Sequence, residues 1–429
     1  MTIHIIGSFD KNKLYCTGSL TKLLTTYTSL SLLAEHYELK TILDDDNFLD
    51  TLCINQRSKK FLTLFQKLIG SKFSIHDICT YYAGLAYTFD PSKEELENVD
   101  LGRPFKHHAI PDEKTFLYMC RNKITPVYPN RSKFHYSEIS IIFLGYFLET
   151  VYDIKIEHLY HKYIIDKFCL KNSTFSRKII DDVHIEDLSA QYDYPSMAIA
   201  DHGYFCYSNG FYTTLNDMKT VIENFLREPV FNYMVDIKNA RAASNRLMNG
   251  LTIELRMVKD DLIYGYEGLS FSGCNLWAYS TKNKQGYITF NESEEEVYKI
   301  IYDELLGYSS FDAVPEHTQK IYKKFIANFH DPIETKDIPI EYQGNYQRVK
   351  INKKTLEDIF VVGKNFIIIR NPEKIKYAVI YVNGNYRVKG KDNIHGAKVG
   401  LYQTKSGNHY MSYDGTLYKK VSELITTDG

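Results

Sequence analysis

Tryptophan is almost missing from this chain: Trp277 stands alone beside 36 Tyr and 24 Phe in 429 residues. Together with an abundance of Ile, Lys and Asn, that usage follows AT-rich codons. It points to a phage, a large DNA virus or a low-GC cell as the source, and it means that tyrosine abundance alone is no sign of a binding surface. Closely spaced cysteines are missing too. The seven Cys, at positions 16, 53, 79, 120, 169, 206 and 274, are never closer than 26 residues, which excludes the Cys-x-x-Cys spacing of zinc ribbons, fingers and thioredoxin-like sites. An odd, scattered set reads as reduced thiols, so an intracellular protein, in the cytoplasm of a host or producing cell, is expected.

Long apolar runs are lacking. The longest, Ile139 to Leu148, is half of the roughly 20 residues that cross a bilayer, so no membrane span or membrane partner is expected. The first residues, Met1 to Gly7, carry neither a basic region nor an apolar stretch of signal-peptide length, and secretion is not expected. G-x-G-x-x-G, the Walker loop, H-E-x-x-H and G-x-S-x-G do not occur, which removes the P-loop ATPases, zincins and nucleophile-elbow hydrolases. With 52 Lys+Arg against 53 Asp+Glu, a net of −1, the chain as a whole is neither polycation nor acidic chaperone.

What remains is periodicity and segregated charge. Ile3 to Ile6 reads as a strand, and Leu20, Leu23, Leu24, Tyr27, Leu30 and Leu33 follow at helical spacing behind Ser19, a candidate cap. Leu39 to Leu43 reads as a second strand. Helical periodicity continues over Phe48–Ile69, Ile75–Tyr87, Thr115–Arg121, Ser137–Tyr152 and Ile154–Phe168, and two further helices are predicted at Asn216–Leu226 and Phe231–Asn249. Alternating runs at Leu251–Val258, Leu262–Phe271, Asn275–Ser280 and Gln285–Phe290 predict an antiparallel sheet. Residues 341–429 hold 15 Lys+Arg against 8 Asp+Glu, a net of +7 that leaves −8 on the preceding 340 residues. This last part is strand-like, with turns at Asn383-Gly384 and Asp414-Gly415. It also contains an internal echo, Gly344-Asn345-Tyr346-Gln347-Arg348-Val349-Lys350 returning as Gly384-Asn385-Tyr386-Arg387-Val388-Lys389.

The expected fold is therefore a multi-domain α+β protein. A mainly helical domain spans residues 1–170, an α+β domain with an antiparallel sheet spans 171–335, and a basic, Tyr-rich β-domain spans 336–429.

Three constellations carry candidate chemistry. Asp181, Asp182, Glu186 and Asp187 gather hard oxygen ligands of the kind that a divalent metal in phosphoryl transfer needs. His158 and His161, three apart on a helix, share a face suited to a metal ion. In the basic domain Arg348, Lys350, Arg387, Lys389 and Lys391 interleave with Tyr346 and Tyr386, the mixture of cations and aromatic faces that single-stranded nucleic acid favours. No cofactor is expected. The leading expectation is a non-catalytic component of a viral or phage-type assembly or nucleic-acid machine, part of a larger complex, contacting nucleic acid or a protein partner through residues 336–429. A metal-dependent enzyme acting on nucleic acid or nucleotides through residues 181–187, and a virion or scaffold protein, are the alternatives.

Overall fold

The structure is a computed structural model. It describes residues 1–7, 10–101, 112–178, 180, 202–270, 273–292, 299–307, 311–319, 333–334, 336–349, 359–371, 373–382, 384–389, 395–414 and 416–423. Strand β1 (Thr2–Ile5) is followed by the short β2 (Tyr15–Cys16) and by helices α1 (Leu20–Ala34), α2 (Leu39–Asp44), α3 (Phe48–Leu52), α4 (Gln56–Ile69), α5 (Ile75–Cys79), α6 (Lys93–Asp100), α7 (Glu113–Asn122), α8 (Glu138–Tyr152) and α9 (Ile156–Tyr160). β3 (Thr174–Phe175) and β4 (Phe211–Thr213) complete a small sheet with β2. β5 (Arg241–Ala242), β6 (Met248–Asn249), β7 (Glu254–Val258), β8 (Asp261–Ser270), β9 (Gly273–Ser280) and β10 (Gln285–Glu292) then form the main sheet in the order β1-β10-β9-β8-β7-β6-β5. All of its pairs are antiparallel except β1 on β10.

α1 and α8 lie inside the protein. Leu20 to Leu33 are all buried, as are Glu138 to Val151, which is what a helix apolar on every side requires. Two threonines of α1 find partners within the core: Thr25 Oγ1 lies 2.7 Å from Tyr160 Oη, and Thr26 Oγ1 lies 2.8 Å from Thr252 Oγ1. α4 packs on α8 with one face, Phe61, Leu62, Phe65 and Ile69. Asn55 caps its start, and Gly70 at φ 74° closes its end. One apolar core, from Ile3 to Val314, joins these helices to the sheet, and the expected border at residue 170 falls inside it.

Three predicted elements differ. The helix expected over Ile75–Tyr87 ends at Cys79, and Tyr81 just beyond it has φ 59°. Leu39–Asp44 is a helix, not a strand, and β1 pairs with β10. The helix predicted over Phe231–Asn249 stops at Met234; Arg241-Ala242 pairs with Met248-Asn249 as a hairpin. Arg241 is drawn there by charge. Its Nη1 donates to Asp77 Oδ1 at 2.9 Å, and the fully buried Asp77 also accepts from Arg131 Nε at 2.9 Å and Ser74 N at 2.8 Å.

The chain ends in a closed barrel. β12 (Gly344–Arg348), β13 (Ile359–Val362), β14 (Phe366–Asn371), β15 (Glu373–Val382), β16 (Asn385–Lys389), β17 (His395–Gln403), β18 (His409–Tyr413) and β19 (Thr416–Ser422) pair each with the next, and β19 returns to β12. β11 (Ile333–Glu334) attaches to β15 on the outside of this ring. An eight-stranded up-and-down barrel has an interior just wide enough for side chains to fill. Tyr346, Val362, Tyr386, Val399, Met411 and Tyr418 share that core. The echoed segments are β12 and β16, the first strands of the two halves of the ring.

Within the helical layer His76 carries a pH signature. Its Nε2 lies 2.6 Å from the carbonyl of Asn239 and its Nδ1 lies 3.2 Å from Arg241 Nη2, so the neutral ring donates at Nε2 and accepts at Nδ1. Burial, then the Arg241 charge, lowers its pKa from 6.5 to about 4. The unfolded chain takes up this proton near pH 6.5 and the folded chain only near pH 4, so His76 favours folding above pH 6.5. That contribution, up to about 3 kcal/mol, is lost as the pH falls from 6.5 to 4. Thermal melts across this range are expected to show the loss in the wild type and a flatter profile in His76→Gln.

Candidate functional site

The N-terminus of α1 meets the main sheet at Gly268 of β8. A Cβ on Gly268 would lie 2.2 Å from the Thr17 carbonyl oxygen, 2.9 Å from Leu20 N and 3.1 Å from Ser19 N, so only glycine lets the strand and the helix start approach this closely. Ser19 occupies the N-cap position, yet its side chain makes no capping hydrogen bond. Its hydroxyl instead accepts from Lys22 Nζ at 2.7 Å. Ser19 is half-buried, and Lys22, one turn on, is wholly buried.

A lysine in the core requires partners for its charge. Lys22 Nζ also donates to Glu138 Oε1 at 3.3 Å and to the Ser208 carbonyl at 3.4 Å, and it lies 5.3 Å from the centre of the Tyr136 ring. Three acceptors match the three N–H bonds of an ammonium. Burial alone pulls the Lys22 pKa down, but Tyr136 and Glu138 outweigh it and the net shift is upward, so Lys22 rests as a cation. Asn209 Nδ2 reaches the same Glu138 oxygen at 3.4 Å.

Tyrosines wall the site. Tyr81 Oη and Tyr266 Oη are 3.0 Å apart, and burial, followed by the neighbouring Tyr136, raises both phenols well above their ordinary range. Tyr81 has φ 59°, an unfavourable conformation for a bulky side chain. It is held by hydrogen bonding of its carbonyl to His135 N at 2.9 Å. Tyr136, Ser137 and Glu138 enter the site from the start of α8, where Ser137 caps the helix by accepting from Ser140 N.

The residues singled out from sequence lie elsewhere. Asp181, Asp182, Glu186 and Asp187 fall outside the described residues, as do Lys350 and Lys391. His158 and His161 are exposed, His161 Nδ1 lies 3.2 Å from Asp166, and no metal-ligating cluster occurs among the described residues. Arg348 lies on β12 and Lys389 is exposed at the end of β16. Tyr346 and Tyr386 turn into the barrel, where their hydroxyls bond the carbonyls of Tyr342 and Asp337. Rings in that position offer no face to a base. Arg387 is buried and donates to the carbonyls of Pro126 and Gly396 at 2.8 and 3.1 Å, so it serves the seam between barrel and helices.

Sequence reasoning read Ser19 as a cap and passed over Ser19-Leu20-Thr21-Lys22. The available signal was Lys22 itself, a cation set among Leu20, Leu23 and Leu24 on an apolar helix. Ser-x-x-Lys is the nucleophile motif of penicillin-binding proteins and class A β-lactamases. Their companion S-D-N and K-T-G sequences are not present; Tyr136-Ser137-Glu138 and the strand residues Tyr266-Glu267-Gly268 border the site instead.

The sequence matches no protein-family profile and no curated protein. The fold does have known counterparts. It is similar to the octameric penicillin-binding protein homologue from Pyrococcus abyssi, with a TM-score of 0.50 and 15% identity over 96% of this chain and 89% of that one. A D-stereospecific amidohydrolase from Streptomyces (TM-score 0.48, 13% identity, 68% of this chain and 88% of that chain) and a penicillin-binding protein from Bacillus halodurans (0.48, 15%, 66% and 84%) are also similar. The first likeness spans helices, sheet and barrel, and it assigns the chain the fold of a penicillin-binding protein homologue. This corrects the expectation of a non-catalytic component of a viral or phage-type assembly or nucleic-acid machine: neither the fold nor the placement of the barrel tyrosines supports it. No helix among the described residues is long and apolar enough to cross a membrane.

The contact at Gly268 is testable. Gly268→Ala is expected to lose about 1–3 kcal/mol in denaturant unfolding, because backbone must separate from backbone. Gly396→Ala, whose Cβ would meet nothing closer than 3.5 Å, is expected to stay within about 0.5 kcal/mol of the wild type.

Proposed function

We propose that the chain is a serine hydrolase that transfers acyl groups from ester or amide substrates to Ser19 and then to water. The observation that carries this reading is the 2.7 Å contact between Ser19 Oγ and the wholly buried Lys22 Nζ. Serine paired with lysine is an established alternative to the Ser-His-Asp arrangement, and a hydroxyl becomes a nucleophile when a neighbouring base can take its proton.

The charges around Lys22 set the order of events. Lys22 rests as an ammonium, so it must pass a proton to Glu138 Oε1, 3.3 Å away, before it can accept one. The Ser19 Oγ–H proton then moves to Lys22 Nζ as the Oγ–carbon bond forms. The oxyanion that results develops at the N-terminal end of α1, where the helix dipole is positive. Collapse of the tetrahedral intermediate breaks the bond to the leaving group, which receives its proton from Lys22. Water discharges the acyl-serine by the same relay in the opposite sense.

Hydrolysis of a p-nitrophenyl ester by the full chain tests this reading. Ser19→Ala is expected to remove the activity, and Lys22→Met to lower kcat by about 10²–10⁴-fold, the range for a lost acid–base group. Glu138→Gln, which keeps the shape of the side chain but refuses the proton, is expected to fall between Lys22→Met and the wild type. A Ser19→Ala variant with undiminished turnover contradicts the assignment.

A further inference from the structure

The structure assigns Asp414, in the β18–β19 turn of the barrel, as a positioning residue for Tyr136 and Glu138; this rests on the reading of Ser19 and Lys22 given above. The segment bearing Tyr136 is laid against residues 81–87. His135 N donates to the Tyr81 carbonyl at 2.9 Å, Glu138 N to the Tyr87 carbonyl at 2.9 Å, and Ser137 Oγ to the Ala86 carbonyl at 2.7 Å. The rings of Tyr87 and Tyr136 stack with centroids 5.9 Å apart.

Asp414 grips both partners of this pairing. Its Oδ1 accepts from Tyr87 N at 3.0 Å, and its Oδ2 lies 2.8 Å from His135 Nε2, the residue beside Tyr136. The second contact is close but lacks the alignment of a hydrogen bond. Both side chains are largely buried, at 16% and 18% exposure, so the contact is shielded from solvent. Asp414 has φ 51°, a backbone conformation that aspartate tolerates better than most residues in tight turns.

The rest of the seam joins the barrel to the helices beside this turn. Lys398 Nζ bonds Asp90 Oδ2 at 2.8 Å, Arg387 bonds the Pro126 carbonyl, and Asp100 at the end of α6 accepts from Thr404, Asn408 and Tyr410 at 3.0, 2.6 and 3.0 Å. Ala86 and Val127 pack on Ala397, and Tyr128 lies edge-on to His135 at 5.5 Å. Of these contacts only Asp414 touches the strip that carries Tyr136 and Glu138 on both of its sides. The barrel is thus part of the apparatus that sets the geometry at Lys22, through one carboxylate.

The test uses the full chain with Asp414→Ala, Asp414→Asn, His135→Ala, the Asp414→Ala/His135→Ala double variant and Lys398→Ala as a control that loosens the seam away from the strip. Peptide-level amide exchange is read over residues 81–87 and 135–138, beside p-nitrophenyl ester hydrolysis and thermal melting. Asp414→Ala is expected to speed exchange in both peptides and to lower kcat by about ten- to a hundredfold, as small misplacements of catalytic groups do, with KM unchanged. Asp414→Asn, which still accepts from Tyr87 N, is expected to recover exchange protection and most of kcat. The double variant is expected to be no worse than Asp414→Ala, since both changes break one contact, and Lys398→Ala is expected to match the wild type. Unchanged exchange in Asp414→Ala, or the same loss in Lys398→Ala, overturns the assignment. Should the wild type not hydrolyse the ester, the acyl-transfer reading fails separately, and exchange alone decides the role of Asp414. Should Asp414→Ala not fold, the exchange and kcat of Asp414→Asn and His135→Ala decide it: wild-type values in both overturn the role.

Discussion

The buried cation Lys22 organises the centre of this protein. Lys22 sits inside α1 with no exposure, and an ammonium can stay there only if every N–H has an acceptor. The acceptors come from three separate stretches of chain: Ser19 in its own helix, Glu138 at the start of α8 and the Ser208 carbonyl. Removing one partner of such a group leaves an uncompensated charge, a loss of several kcal/mol. The same requirement that fixes α1, α8 and residues 206–209 around one point also delivers a half-buried serine hydroxyl to a lysine nitrogen. Stability and chemistry share one constraint here.

The elements around that point follow from it. α1 carries threonines among its leucines, and two of them, Thr25 and Thr26, bond outward to Tyr160, Tyr207 and Thr252, which ties the central helix to its surroundings without charge. Gly145 lets α8 approach Tyr207, whose ring lies 2.3 Å from where a Cβ would stand. Gly268 does the same for β8 and the start of α1. The barrel closes its own hydrogen bonds in a ring, so it has no free edge within the eight strands, and it meets the helices through side chains: Asp100, Arg387, Lys398 and Asp414.

Much of the architecture was legible in the sequence. The helices around Phe61–Ile69 and Ile139–Val151, the strand runs from Leu255 to Phe290 and the turns at Gly384 and Asp414 all show the periodicity and turn residues that mark such elements. The echo of Gly344–Lys350 in Gly384–Lys389 was legible as well, but its meaning, two halves of one ring, needed the pairing of β15 with β16. Periodicity misled where tertiary charge decided: Phe231–Asn249 has helical spacing, yet the buried Asp77 pulls Arg241 into a hairpin. The site was the least legible part. Ser19 satisfies every local rule for a helix cap, and Tyr136, Glu138 and Ser208 come to Lys22 from more than a hundred residues away. The basic, tyrosine-rich end drew attention for the opposite reason: its aromatic residues are abundant because strands favour them and the barrel has to be filled, as Tyr346 and Tyr386 show.

The activation of Ser19 by Lys22 is tested most directly by exposing the folded chain to a fluorophosphonate and mapping the adduct by peptide mass spectrometry. The predicted result is one adduct per chain, carried by Ser19, lost when the protein is unfolded before labelling and lost in Lys22→Met. An unlabelled chain, or an adduct carried by another serine such as Ser208, would contradict the account.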